Sequence, residues 1–266
     1  MIFKKTELGG DAYLDAYIAD KINDFTRDAI LVIPGGGYGS VCSEREGEPI
    51  AQAFMPYGFN AFVLHYSVGE GKHFPLQLTE ASLAMKHIRD NADEYNINPD
   101  RVFAAGFSAG GHLAASLGIL WDNKEVNEKI DMPLGYNRPT GIMPIYPVVS
   151  SDRSFTHIWS IENLLGKENM TEENMLAVSL EKHVNENSSP AFIVHTSNDE
   201  AVNVKNSLAL AGAYANAGMK FELHIYPDAP HGVALGNEIT ECGCKKWNNP
   251  CIAKWVENAA LWAKGI

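Results

Sequence analysis

The pentapeptide Gly106-Phe107-Ser108-Ala109-Gly110 presents a serine between two glycines. A serine hydroxyl is a poor nucleophile near neutral pH; it needs a base beside it, and the base needs an acid to orient it. His231, in Asp228-Ala-Pro-His-Gly232, is the candidate base, and Asp199, in Thr196-Ser-Asn-Asp-Glu200, is the favoured acid. Glu200, directly next to Asp199, is the competing acid. Together these residue types perform acyl transfer: the serine oxygen attacks a carbonyl, the imidazole carries the proton, and the carboxylate holds the imidazole.

The tetrahedral intermediate of that reaction needs hydrogen-bond donors for its oxyanion. Pro34-Gly35-Gly36-Gly37-Tyr38 offers backbone N–H groups with no side chain in the way. The N–H of Ala109, the residue after the serine, is a second source. Glycine-rich loops also cradle phosphates, but this one lacks the Gly-x-x-x-x-Gly-Lys-Ser/Thr and Gly-x-Gly-x-x-Gly spacings. The remaining histidines are expected to be structural. His65, His195 and His224 lie inside apolar strands, and His112 follows Ser108 by four residues on one helix, as a packing or supporting group. Asp228 is expected to shape the turn before His231.

The elements that must hold these residues recur as a short apolar run, a turn and a longer amphipathic stretch, the pattern of a mostly parallel sheet flanked by helices. Strands are predicted over 29–33, 60–65, 101–105, 141–146, 191–195 and 221–226. Helices are predicted over 47–57, 75–91, 109–120, 202–217 and 250–264, with Glu46 and Glu48 near the positive end of the first. Pro144 marks a bulge or an edge-like end of its strand. Residues 151–188 read as a polar, irregular insertion with one short helix near 171–178. Ser108 falls between a strand and a helix, and Asp199 and His231 fall just past the carboxyl ends of strands, where open α/β sheets build their sites. No linker divides the chain, so residues 1–266 read as one domain.

The chain carries 21 Lys and Arg against 33 Asp and Glu, a net charge of −12, which argues against a nucleic-acid partner or an anionic membrane surface. No run approaches the length of a membrane span, and the first residues lack the apolar core of a signal peptide, so the expected location is cytoplasmic. Of the four cysteines, Cys242, Cys244 and Cys251 cluster, but without the spacing of a zinc knuckle; reduced thiols are expected. There is no internal repeat and no signal of oligomeric state.

Pro-Gly-Gly-Gly-Tyr (34–38), Gly-Phe-Ser-Ala-Gly-Gly-His-Leu-Ala-Ala (106–115), Ser-Asn-Asp-Glu-Ala-Val (197–202) and Pro-His-Gly (230–232) resemble α/β-hydrolase esterases of the acetylesterase and acetyl-xylan-esterase-like, or BD-FAE-like, group. The likeness runs from about Leu14 to the final helix. Segments 179–184 and 255–262 also look like its connecting pieces. It implies an α/β-hydrolase fold, nucleophile Ser108, acid Asp199, base His231, and oxyanion donors at Gly36, Gly37 and Ala109. The order serine, acid, histidine is that of the fold. Pro34 stands where lipase relatives place His, which points to the acetylesterase branch. The resemblance implies a small acyl ester as substrate, acetylated sugars or xylo-oligosaccharides among the candidates, with no metal or organic cofactor. A peptidase or arylformamidase of the same fold, and a catalytically silent ligand-binding protein, are the rival readings. The stretch 241–251 is expected to line the pocket.

Overall fold

A computed structural model describes residues 1–266. In chain order the elements are β1 (Ile2–Gly9), β2 (Ala12–Ile18), β3 (Arg27–Ile33), α1 (Ser43–Glu46), α2 (Glu48–Phe54), β4 (Phe59–His65), α3 (Leu76–Asp90), α4 (Ala92–Tyr95) and β5 (Ile97–Phe107). Then follow α5 (Ala109–Ile119), α6 (Lys124–Lys129), β6 (Ile142–Ile145), α7 (Ile158–Leu165), α8 (Glu172–Ala177), β7 (Ala191–Thr196), α9 (Lys205–Asn216), β8 (Phe221–Tyr226) and α10 (Trp255–Lys264). All eight strands join one sheet in the order β1-β2-β4-β3-β5-β6-β7-β8. It is parallel from β4 to β8, and β1 and β2 add an antiparallel edge.

The unbroken apolar run of β3 follows from burial on both faces. Ala29, Leu31 and Ile33 enter one cluster with α3, α5 and α7; Ile30 and Val32 enter another with α2 and α10. A third, smaller cluster packs α9 beneath β7. Parallel strands put their carboxyl ends on one edge, so Phe107, Ile145 and Thr196 finish together and deliver the segments after them to a common place.

Two expectations need correction, and two strands went unpredicted. The first 18 residues carry two strands that no strict hydrophobic alternation announces. β1 is an edge strand with Ile2 and Phe3 exposed, and its hairpin to β2 turns at Gly9 and Gly10. Pro144 lies in the middle of the sheet, paired with Gly106, rather than at an edge. Its missing N–H falls on the β7 side, where Ile142 donates to Pro190 and Tyr146 to Val194, so the ladder skips one bond and continues. Residues 151–188 carry the short helix expected near 171–178, as α8, but are less irregular than expected. They hold α7 and α8, and Ile161, Leu164, Leu165, Met175 and Val178 are buried in the main cluster. At about 1.5–3 kcal/mol for each large apolar side chain fully buried, this segment is fastened to the core.

Candidate active site

Ser108 sits between the last residue of β5 and the first of α5 with φ 54° and ψ −117°. A side chain in that conformation costs about 1–3 kcal/mol and persists only where neighbours over-determine it. They do: Ser108 N–H donates to Ile145 O (3.0 Å), and Ser108 O accepts from His112 N (3.1 Å) and Val148 N (3.1 Å). The flanking glycines are required by close approach, not by their own dihedrals. A Cβ on Gly106 would stand 2.0 Å from Gly110 O, and one on Gly110 would stand 2.1 Å from Ile33 O.

The structure brings together the three residues singled out in the sequence. His231 Nε2 lies 2.9 Å from Ser108 Oγ, and His231 Nδ1 lies 2.7 Å from Asp199 Oδ2. With Nδ1–H donating to the carboxylate, Nε2 is left to accept the serine proton. The other oxygen of Asp199, Oδ1, accepts N–H groups from Ala201 (3.0 Å) and Val202 (2.9 Å). Burial pushes the Asp199 carboxyl up, but hydrogen bonds from His195 and His231, the His231 charge and the Val202 N–H outweigh it. The group is held well below the usual carboxylate range. Glu200 points outward, is exposed and makes no bond to His231.

The glycine loop is braced from several sides. Asn163 Nδ2 of α7 donates to Gly37 O (2.8 Å), while Gly39 N and Ser40 N close a turn on Gly36 O (3.1 and 3.0 Å). The N–H groups of Gly36 and Gly37 have no acceptor within the chain. Ala109 N–H opens α5, where no carbonyl stands one turn back to receive it. Gly37 has φ +63°, and a Cβ there would meet the Trp159 ring at 2.0 Å. Trp159, 48% exposed, thus lies over the loop at the mouth of the site.

Sequence reasoning missed several supporting residues. His195 does more than fill a strand: Nε2 lies 2.9 Å from Val202 O and 3.3 Å from Asp199 Oδ2, and Nδ1 lies 2.7 Å from Ser207 Oγ. His112 is the supporting group expected. Its Nε2 donates to Val178 O (2.8 Å), so Nδ1 accepts from Tyr38 O–H (2.8 Å), and burial holds its pKa down to about 4. His65 and His224 sit apart from the site in pairs with Asp15 (3.0 Å) and Glu222 (2.6 Å). Asp228 shapes its turn by accepting from Asn198 Nδ2 (2.6 Å), which ties the His231 loop to the residue before Asp199. Glu46, expected near the positive end of the helix now seen as α2, is there and is also buried against the glycine loop. An acid in the run Ser-Glu-Arg-Glu-Gly-Glu (43–48) has no periodic neighbour to signal that it turns inward.

Segment 241–251 does approach the site. Trp247 Nε1 donates to His231 O (3.1 Å), and a depression of about 710 Å³ beside His231 is lined by Asn198, Glu200, Asp228, Cys244, Trp247 and Asn249. The four cysteines are free thiols. A larger depression of about 910 Å³ lies at the opposite edge of the sheet, near Asp100 and Pro190, far from Ser108. No helix is long and apolar enough to cross a membrane.

Residues 14–214 match the BD-FAE family. Over 219 residues the chain is 39% identical to endo-1,4-beta-xylanase B of Butyrivibrio fibrisolvens, covering 81% of this chain and 34% of that protein. It is 31% identical over 211 residues to an acetylxylan esterase of Xylanibacter ruminicola, covering 78% of this chain and 41% of that protein. The chain therefore spans well under half the length of these two curated relatives. The acetyl ester-xyloside bifunctional hydrolase of Caldicellulosiruptor lactoaceticus superposes with a TM-score of 0.82 at 34% identity, over 96% of this chain and 88% of that one. With an eight-stranded, mostly parallel sheet between helical layers, the chain belongs to the BD-FAE family of α/β hydrolases.

Proposed function

We propose that the protein is a carboxylic-ester hydrolase that removes short acyl groups, acetyl above all, from esters of sugar or xylo-oligosaccharide alcohols. The observation that carries this reading is the chain of two hydrogen bonds, 2.9 Å and 2.7 Å, running from Ser108 through His231 to Asp199. In the first step His231 Nε2 takes the Ser108 proton as Oγ bonds to the ester carbonyl. The oxyanion is received by N–H groups of Gly36, Gly37 and Ala109. The intermediate collapses by losing the alcohol, which takes the proton from His231, and the acyl group stays on Ser108. Water then attacks the acyl ester with His231 again as base, and the carboxylic acid and free serine are released.

The substrate assignment draws on the relatives, two of whose names refer to acetyl esters of xylan or xylosides. The polar depression beside His231, with its amides, charges and one indole, suits a hydroxyl-rich alcohol. In segment 151–188, Ile161, Leu164, Leu165, Met175 and Val178 are committed to the core. A panel of esters tests the proposal. Acetylated xylo-oligosaccharides and p-nitrophenyl acetate should give the highest kcat/KM, with rates falling from butyrate onward. Highest kcat/KM on a long-chain ester, an arylformamide or an aminoacyl anilide would overturn it.

A further inference from the structure

Arg45 and Glu46, adjacent in α1, reach into opposite parts of the site. Glu46 is buried, with Oε2 accepting the Gly35 N–H (2.8 Å) and Oε1 accepting the Tyr146 O–H (2.8 Å). The Tyr146 oxygen itself accepts the N–H of Ala234 (3.1 Å), so the phenol proton is directed at Glu46. Both neighbours donate, and a protonated carboxyl would set its own O–H against a donor. This polarity favours the carboxylate over the neutral acid. Burial outweighs the two hydrogen bonds and the charges of His231 and Arg45, so the Glu46 carboxyl is pushed above the usual carboxylate range.

Tyr146 carries the arrangement to the base. Its ring meets the His231 imidazole edge to face, centroids 5.0 Å apart, and its backbone is held at φ +36°. Arg45 leaves α1 on the other side. Its Nη2 donates to Gly232 O (2.6 Å) and its Nε to Thr240 O (3.0 Å), and the guanidinium lies 3.6 Å over the Trp247 ring. Trp247 in turn donates to His231 O. One dipeptide therefore fastens the glycine loop to the loop that bears the base, with a buried carboxyl on the Tyr146 side and a half-buried guanidinium on the carbonyl of Gly232, the residue after His231.

We propose that Arg45 and Glu46 are an opposed-charge positioning pair for His231, Glu46 stabilising the imidazolium formed during acyl transfer and Arg45 limiting that stabilisation. The proposal rests on the acyl-transfer reading of Ser108. The other titratable groups around His231 are Asp199 in the turn after β7, His195 of β7 behind that carboxylate, His157 ahead of α7, the Tyr146 phenol after β6, and Glu200 and Asp228, which line the depression beside the imidazole. Lys245 and Lys246, beside Trp247, are exposed to solvent.

The test follows the titration midpoint of the His231 imidazole by NMR in the wild-type protein, in Glu46→Gln and in Arg45→Met, together with the pH profile of kcat/KM. Loss of the Glu46 charge should lower the midpoint by about half a unit or more, and loss of the Arg45 charge should raise it by a similar amount. The acid limb of the pH profile should move the same way in each variant. A pair that only props the loops would reduce kcat in both variants without shifts of opposite sign. No shift in either, or shifts of one sign, would overturn the proposal. Should Glu46→Gln fail to fold, Arg45→Met decides alone, since the absence of an upward shift contradicts the pairing. The NMR titration needs no turnover, so a protein without ester hydrolysis would sink the acyl-transfer reading while the electrostatic claim is still decided.

Discussion

The Asp199 side chain has no exposed surface, whereas the His231 side chain that it holds at 2.7 Å keeps 23% of its own exposed. The acid is sealed away from water, where its hydrogen bonds are stronger, and the base is open toward the substrate. Replacing Asp199 by Asn keeps the shape and removes the charge that fixes the imidazole tautomer. Asp199→Asn should lower kcat roughly 10³–10⁴-fold with little change in KM. Glu200→Gln should leave kcat near the wild-type value, since Glu200 faces solvent. Steady-state kinetics on p-nitrophenyl acetate distinguish the two acids, and the reverse pattern would move the role to Glu200.

Gly37 and Trp159 are in contact so close that no side chain fits between them. Gly37→Ala should push the ring or the loop aside and misplace an oxyanion donor, for a loss in kcat of about 10- to 100-fold. Gly37→Ala combined with Trp159→Ala should recover part of that loss, leaving the strain of a positive φ. Additive losses in the double variant would show that Trp159 does not confine the loop.

His112 makes stability depend on pH in a defined window. Its pKa is about 4 in the folded protein against 6.5 for the ordinary side chain, so the unfolded chain binds the extra proton between these values. The contribution is fully present above pH 6.5 and is lost as pH falls toward 4. Between pH 7 and pH 5 the wild-type protein should lose about 2 kcal/mol that His112→Gln does not lose, read from urea unfolding at each pH. Equal losses in both proteins would refute this account of His112.

What was legible in the sequence followed from local rules. The β5–Ser108–α5 turn was marked by its glycines, and Asp199 and His231 by standing just after apolar strands, because a parallel sheet gathers such ends on one edge. In 151–188 the short helix near 171–178 was legible and stands as α8, whereas α7 was hidden because its buried residues, Ile161, Leu164 and Leu165, occupy barely two turns among polar ones. β1 was hidden because an edge strand needs no buried face. Glu46 and Tyr146 were invisible for another reason. Each acts through partners about 11 to 100 residues away, and no spacing rule reaches across that distance.

Labelling with a fluorophosphonate, followed by peptide mapping, tests the central claim most directly, which is that Ser108 Oγ attacks the substrate carbonyl. The account predicts one modified residue, Ser108, with ester hydrolysis lost in step with labelling. It also predicts that Ser108→Ala takes up no probe and hydrolyses p-nitrophenyl acetate at a kcat roughly 10⁴-fold or more below wild type while remaining folded. Probe found on a different residue, or a folded Ser108→Ala variant turning over ester at the wild-type rate, would contradict it.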